Sequence, residues 1–208
     1  KLTADECRKT GISINFRQPN ADSYPGATGS GWQHRDDIVR WIMKPARFTL
    51  PLPKILKLTG GFNLIYLTYA RRQLKQIIVP EPKDFHCPAR GKNMIVCRDA
   101  NYLNYKRSPD KFFIQIENIV LWVRLTDMIW IGDVSDYADV TPSVISKLRK
   151  LAVNLGYNTI CFDINRSVRP SFLKNFHEYS SQASCILYLD PALVSQNITL
   201  TGADSDTW

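Results

Sequence analysis

One clearly marked helix between strand-like runs constrains the fold of this chain more than any other feature. Thr141-Pro142 is a typical helix start, because threonine caps free amide groups and proline fits the first helical position. Apolar residues then recur at helical spacing up to Leu155, and Gly156 ends the helix. Apolar strand-like runs lie on both sides of it, at residues 112–116, 119–125, 128–134 and 159–164. This order predicts an α/β (α+β) fold with a mixed central sheet flanked by helices.

The first 45 residues contain a shorter version of the same pattern. Residues 3–10 predict the last turns of a helix that Gly11 ends, and residues 12–16 and 37–43 predict strands. Sliding the chain by 145 residues aligns Gly11 with Gly156 and Asn20 with Asn165. We therefore expect the same helix–strand–helix unit to occur twice, with the first copy lacking its beginning upstream of Lys1.

Prolines and basic residues separate these two regions. The sequence predicts three parts: residues 1–45 as the end of a first domain, 46–89 as a basic connecting segment, and 90–208 as a second domain. Within the last two parts, residues 64–69 are predicted as a strand and residues 99–106 as a helix.

Positive charge is concentrated in the first half of the chain. Residues 1–110 hold 19 Lys and Arg against 9 Asp and Glu, whereas residues 111–208 hold 8 against 10. The excess lies mostly between residues 40 and 107, where it would attract a polyanion such as nucleic acid or a phosphorylated cofactor. The alternative is a solvated basic surface, because no recognised nucleic-acid-binding module accompanies the charge.

The composition also bears on location and on metals. No run approaches the ~18 apolar residues of a membrane span, so none is predicted. The five cysteines are odd in number and contain no CxxC pair, which favours a reducing, cytoplasmic setting. Asp84, His86 and Cys87 offer ligand atoms without a fourth partner, and no metal site is predicted.

The residues after the first predicted strand resemble the GNAT (Gcn5-related N-acetyltransferase) family. Members end with a strand, an asparagine, a short helix and a Gly-Phe-like pair, and here Asn20 precedes Gly31-Trp32 by eleven residues. Residues 128–188 resemble the core of the family in the order strand, long helix, strand, short helix, strand. The resemblance covers residues 1–45 and most of 90–208, and it implies a GNAT-like acyl-CoA acyltransferase fold in two copies.

The resemblance implies an N-acetyltransferase that transfers an acetyl group from acetyl-CoA to the amine of a small molecule or peptide. It implies that Asn20 contacts the cofactor. The tyrosine that protonates the leaving thiolate in the family would stand at Ala27 here, so Tyr24 is the candidate for this acid. The alternative is that Asn20 and Tyr24 build a local Asx-type turn.

The second copy departs from the family at the loop that should hold the pyrophosphate of CoA. This loop, residues 132–141, carries Asp133, Asp136 and Asp139, which repel a polyanion. We therefore expect acetyl-CoA to be bound largely by residues upstream of Lys1. Asp133 and Asp136 are candidates for binding the substrate amine, with a role as turn and cap residues as the alternative.

Two other functions remain open from the sequence. One is a Fem-like aminoacyl-tRNA-dependent acyltransferase, in which the basic residues between 40 and 107 would hold tRNA. The other is a non-catalytic GNAT-like interaction module that forms a homo-oligomer, which Ala27 and the acidic loop favour.

Overall fold

The computed structural model describes residues 4–45, 50, 52–58, 65–82, 85, 94–196 and 198–204. The helices are α1 (Ala4–Lys9), α2 (Tyr24–Gly29), α3 (Leu52–Leu58), α4 (Leu67–Leu74), α5 (Ala100–Tyr105) and α6 (Pro142–Asn154). The strands are β1 (Ile14–Arg17), β2 (Gln33–Met43), β3 (Met94–Ile95), β4 (Lys111–Ile116), β5 (Ile119–Leu125), β6 (Ile129–Val134), β7 (Ile160–Asn165), β8 (His177–Tyr188) and β9 (Ile198–Thr199). Short 3-10 helices lie at Ser171–Asn175, Pro191–Leu193 and Gly202–Asp204.

Seven of these strands form one mixed sheet in the order β1-β8-β2-β7-β6-β5-β4. Neighbouring strands are antiparallel except β6 and β7, which are parallel and connected through α6. Parallel neighbours need such a crossover, because a hairpin cannot join them. β3 and β9 form a separate two-stranded parallel sheet. The predicted α/β fold with a mixed central sheet is thus confirmed.

Side chains alternate between two cores on opposite faces of the sheet. On one face, β2 contributes Val39, Trp41 and Met43 to a large cluster that also takes in the apolar sides of α4 and α6. On the other face, Phe113 of β4 and Trp122 of β5 stack at 5.3 Å in a smaller cluster. This period of two is what pleated strands impose.

Several predicted elements are confirmed together with the residues that end them. Gly11 and Gly156 have positive φ angles of 79° and 75°, which suit glycine at the end of a helix. The Thr141 side chain accepts a hydrogen bond from the Val144 amide and so caps α6, and Asp99 caps α5 in the same way. The short helix after β7 is a 3-10 helix, and β8 runs from His177 to Tyr188.

The prediction of a strand at residues 64–69 is wrong. Residue 64 lies outside the described residues, and α4 begins at Leu67. Leu67, Ala70 and Leu74 are buried at helical spacing, and the Tyr66 hydroxyl donates to the Leu155 carbonyl oxygen at 2.9 Å. A short apolar run is compatible with either a strand or a helix. Here the helix forms because its apolar side packs in the core beside the end of α6. The predicted connecting segment 46–89 therefore contains α3 and α4.

The two ends of the chain share the middle of the sheet. The order strand, short helix, strand occurs twice: once as β1, α2 and β2, and once as β7, the Ser171–Asn175 3-10 helix and β8. The two final strands correspond in position, because adding 145 to the bounds of β2 gives residues 178–188 of β8. β2 lies between β7 and β8, and β8 lies between β1 and β2. The interpretation as two copies and the domain boundaries at residues 45 and 89 stay predictions.

Candidate active site

A cavity of about 740 Å³ opens where β2, β7 and β8 meet. Its wall comes from residues between β1 and α2, and its floor from the central strands. The lining residues are Gln18, Pro19, Asn20, Ala21, Tyr24, Ile38, Arg40, Trp130, Asp163, Ser180, Ser181, Gln182 and Ala183.

The wall brings together the two residues predicted from the N-terminal motif, Asn20 and Tyr24. The Ser23 amide donates to the Asn20 side-chain oxygen at 2.9 Å, and the Tyr24 amide donates to the Asn20 carbonyl oxygen at 2.9 Å. Asn20 thus forms the Asx-type turn that was the alternative to a binding role. Within the part of the chain that the structure describes, the side-chain NH₂ of Asn20 has no partner, so it is available as a donor to a ligand.

Tyr24 is positioned by an aromatic contact with β2. Its ring meets the His34 ring edge-on at 5.9 Å, and His34 Nε2 lies 3.1 Å from Asp37 Oδ1. Ala27, three residues later, is only 1% exposed and does not line the cavity. A tyrosine at position 27 would therefore have to displace α2, and Tyr24 is the phenol that the described lining contains.

The floor of the cavity is an ion pair that the sequence did not suggest. Arg40 donates from Nε to Asp163 Oδ1 at 3.0 Å and from Nη2 to Asp163 Oδ2 at 2.8 Å. Its guanidinium also lies 4.7 Å from the centre of the Trp130 ring. The hydrogen bonds to Asp163 raise the pKa of Arg40 even though partial burial opposes this. Two hydrogen bonds fix the geometry of this pair, and its opposite charges leave it without net charge. Asp163 is 7% exposed.

The signal for this pair is a charged residue inside each of two apolar strands. Arg40 stands in β2 and Asp163 in β7, and the register pairs them directly. Each residue on its own is typical of a solvent-facing strand position. Only the pairing of β2 with β7, which are 123 residues apart at this point, makes them partners.

Beside the cavity, β6 and β7 separate after three paired positions, Ile129–Ile131 with residues 160–162. Beyond them the last described segment, residues 198–204, fills the opening. The Asn165 amide donates to the Leu200 carbonyl oxygen at 3.2 Å, and Gly202 packs against Trp130 and Asp163. This segment therefore packs against two side chains that line the cavity, Trp130 and Asp163.

The structure places Asp133 and Asp136 away from the cavity. Asp133 is fully buried and forms an ion pair with Arg98, while the Val134 amide and the Tyr137 hydroxyl donate to its other oxygen at 2.8 and 3.1 Å. Burial raises the pKa of Asp133, and Arg98 opposes that rise. Asp136 accepts from the Ala138 amide at 2.8 Å, as a turn residue does. Neither carboxylate faces the cavity that holds Asn20 and Tyr24.

The lining can be compared with the chemistry of acetyl-CoA. Arg40 and Asp163 are the charged members of the described lining, and they neutralise each other. The amide and hydroxyl groups of Asn20, Tyr24 and Ser181 suit the neutral pantetheine and thioester end of the cofactor. The described lining does not fit its phosphates, which need unpaired cations or free amide groups.

No protein-family model matches the chain, and no curated protein does. Among solved structures, it is similar to the crystal structure of a GCN5-related N-acetyltransferase from Anabaena variabilis ATCC 29413, with 12% sequence identity and a TM-score of 0.45. The similarity covers 90% of this chain and 48% of that one, so this chain spans about half the length of that protein.

Two further observations concern membranes and metals. No helix among the described residues is long and apolar enough to cross a membrane. Within the same ranges, no three His, Cys, Asp or Glu side chains are placed to hold a metal ion. Asp84, His86 and Cys87 lie outside the described residues.

Proposed function

We propose that the cavity is the acyl-transfer site of a GNAT-type N-acetyltransferase, which moves an acetyl group from acetyl-CoA to the amine of a small molecule or peptide. The observation that carries this proposal is that Asn20 and Tyr24 line one cavity, within a single turn of chain. The sequence motif predicts roles for the same two residues.

The side chains of the cavity have separable roles in this proposal. Acetyl-CoA would supply the acetyl thioester. Asn20 donates a hydrogen bond from its side-chain NH₂ to the neutral arm of the ligand. Tyr24 holds a proton at Oη and acts as the general acid, and such a group accelerates proton transfer by about 10²- to 10⁴-fold. The Arg40–Asp163 pair keeps the floor rigid, so that the ligand is held in one orientation.

The phosphates of the cofactor need a separate place in this proposal. Because the described lining is neutral, we assign them to residues outside this lining. The acceptor amine would enter along β8, where Ser180 and Ser181 line the open side of the cavity.

Calorimetric titration of acetyl-CoA into the protein, followed by an acetylation assay over a panel of amines, tests the proposal. We expect Tyr24→Phe to lower kcat by about 100-fold with little change in acetyl-CoA binding, because it removes only the acid. Asn20→Ala should weaken acetyl-CoA binding by about tenfold, since it removes one hydrogen bond from a bound ligand.

Two exposed residues outside the cavity provide matched controls. Tyr105→Phe and Asn101→Ala, both on α5, should leave kcat and acetyl-CoA binding unchanged. Equal losses in the control and site variants, or no binding and no turnover with any amine, would refute the proposed function.

A non-catalytic interaction module is the second candidate, and the neutral lining favours it. A module of this kind has no need for phosphate contacts. A molecular mass that rises with protein concentration, together with no acetyl-CoA binding, would support it over the enzyme.

A further inference from the structure

A second cleft, of about 470 Å³, lies at the β4 edge of the sheet. Three elements meet there: α4, the turn after α5, and β4. Residues 77–79 run along β4, and the Val79 amide donates to the Phe113 carbonyl oxygen at 2.9 Å. The cleft is lined by Arg71, Lys75, Ile78, Glu81, Arg107, Lys111 and Phe112.

The charge of this cleft is strongly unbalanced. Four cations, Arg71, Lys75, Arg107 and Lys111, face one carboxylate, Glu81, which gives a net charge of +3 when all are ionised. Among the described residues, the ion-pair partner of Glu81 is Arg107, whose Nη2 lies 2.8 Å away. Lys75 has no side-chain partner in the described ranges. Cations that converge from separate elements repel one another, and a bound anion relieves this repulsion.

The remaining wall is apolar. The ring of Phe112 lies 5.8 Å from the Arg71 guanidinium carbon, and Ile78 is 37% exposed. Arg71 also donates to the Pro109 carbonyl oxygen at 3.2 Å, which fixes its guanidinium at the rim. A ligand that fits both walls therefore carries a negative group beside an apolar or ring portion.

We propose that this cleft binds a phosphate ester, either a free nucleotide or a nucleotide unit of a single-stranded RNA. Arg71 and Lys75 contact the phosphate from α4, and Lys111 contacts it from β4. The organic part of the ligand lies against Ile78 and Phe112. The site shares no lining residue with the acyl-transfer cavity, and β2 and β4 are four strands apart, roughly 19 Å.

The protonation of Lys111 provides a supporting signature. Partial burial, with the neighbouring charges of Arg124 and Lys106, lowers the pKa of Lys111 to about 8, and Asp110 opposes this. The other charged groups around it are those of the cleft, Arg71, Lys75, Arg107 and Glu81. An anion in the cleft stabilises the protonated form, so binding should take up a proton near pH 8 and weaken as the pH rises to 9.

The test measures binding of uridine 5′-diphosphate and of a single-stranded RNA dodecamer to the full chain, with uridine as the probe that lacks phosphate. We expect saturable binding of a phosphate-bearing probe, no binding of uridine, and about fivefold weaker binding in Lys75→Gln. Lys174→Gln, an exposed charge change on the 3-10 helix after β7, is the matched control and should bind like the parent chain. Lys111→Arg should reduce the loss of binding at pH 9, because arginine stays charged.

The two probes distinguish the source of the phosphate. Stoichiometric binding of uridine 5′-diphosphate with no gain for RNA identifies a free nucleotide as the ligand. Much tighter binding of RNA, with a salt dependence whose slope falls by about 0.7 in Lys75→Gln, identifies the RNA backbone. The proposal is overturned if neither probe binds, if uridine binds equally well, or if Lys75→Gln and Lys174→Gln cannot be distinguished.

Discussion

At the scale of single residues, Arg98 has the most demanding environment in the described chain. It is 3% exposed and forms ion pairs with two buried carboxylates, Asp133 and Asp204. Its Nη2 also donates to the Thr201 hydroxyl at 3.0 Å, and the Tyr102 hydroxyl donates to Asp204 at 3.2 Å. Through these ion pairs, Arg98 links residues 198–204 to β6. A buried pair of this kind is costly to break, because the remaining charges cannot return to water.

We predict that Arg98→Met lowers the free energy of unfolding by about 3–5 kcal/mol, since it leaves Asp133 and Asp204 buried without their cation. Burial raises the pKa of Asp133, and losing Arg98 raises it further. A carboxyl whose pKa is higher in the folded than in the unfolded state stabilises the fold as the pH falls. The variant should therefore be more stable at pH 5 than at pH 7 in urea unfolding.

The control for this prediction is Arg8→Met. Arg8 pairs with Asp5 on the surface, where both side chains are more than half exposed. Its loss should change the stability little, because solvent screens exposed pairs. A stability of Arg98→Met that matches the control would contradict the assigned role of the cluster.

At the scale of elements, residues 198–204 complete the region where β6 and β7 separate. The segment is joined to β7 through the Ile164 and Thr201 bridge and to β6 through the contacts of the Gly202–Asp204 3-10 helix. Close approach here requires glycine. A Cβ atom at Gly202 would lie 2.8 Å from the Trp130 ring nitrogen and 3.5 Å from Asp163 Cβ. The same two side chains line the proposed active site.

Gly202→Ala should therefore lower the free energy of unfolding by about 1–3 kcal/mol, because the rigid indole cannot move aside without strain. It should also impair the proposed acetyl transfer, since Trp130 stacks on Arg40. Gly26→Ala in α2 is the matched control, because no atom lies within 4 Å of the added methyl group. Thermal unfolding of both variants checks the prediction, which fails if Gly202→Ala is as stable as the control.

At the scale of the whole molecule, the sheet depends on strands from both ends of the chain. β2 pairs with β7 from Ile38 to Met43 and with β8 from Gln33 to Ile42. Val39 and Met43 of the same strand are almost completely buried in the larger core. Residues 1–45 thus contribute the strand that joins β7 to β8, and the division of the chain at residue 45 stays a prediction.

We predict that a chain of residues 46–208 loses the cooperative unfolding transition of the parent chain. Without β2, the strands β7 and β8 have no common neighbour, and the larger core lacks the side chains of Val39, Trp41 and Met43. Circular dichroism during heating checks this. A separate peptide of residues 1–45 should restore the transition when it is added. A cooperative transition of 46–208 alone would instead support the division at residue 45.

Local signals in the sequence were sufficient for most of the elements. Thr141-Pro142 and Gly156 marked both ends of α6, and Asp99 marked the start of α5, because capping depends on neighbouring residues alone. The strand at residues 64–69 was predicted wrongly, since a short apolar run fits two structures until its neighbours are known. The motif around Asn20 and Tyr24 was also local, and in the structure both residues line one cavity, while their roles stay predictions.

The sequence by itself determined the mixed α/β fold and the ends of its best-marked helices, and it suggested two residues that line the candidate site. Only the tertiary structure decided that β2 lies between β7 and β8. It also decided that Arg40 pairs with Asp163 and that Arg98 forms a buried ion pair with Asp133. Local signals record the preferences of a few adjacent residues. The partners of a charge are set by strand order and register, which depend on residues more than a hundred positions apart.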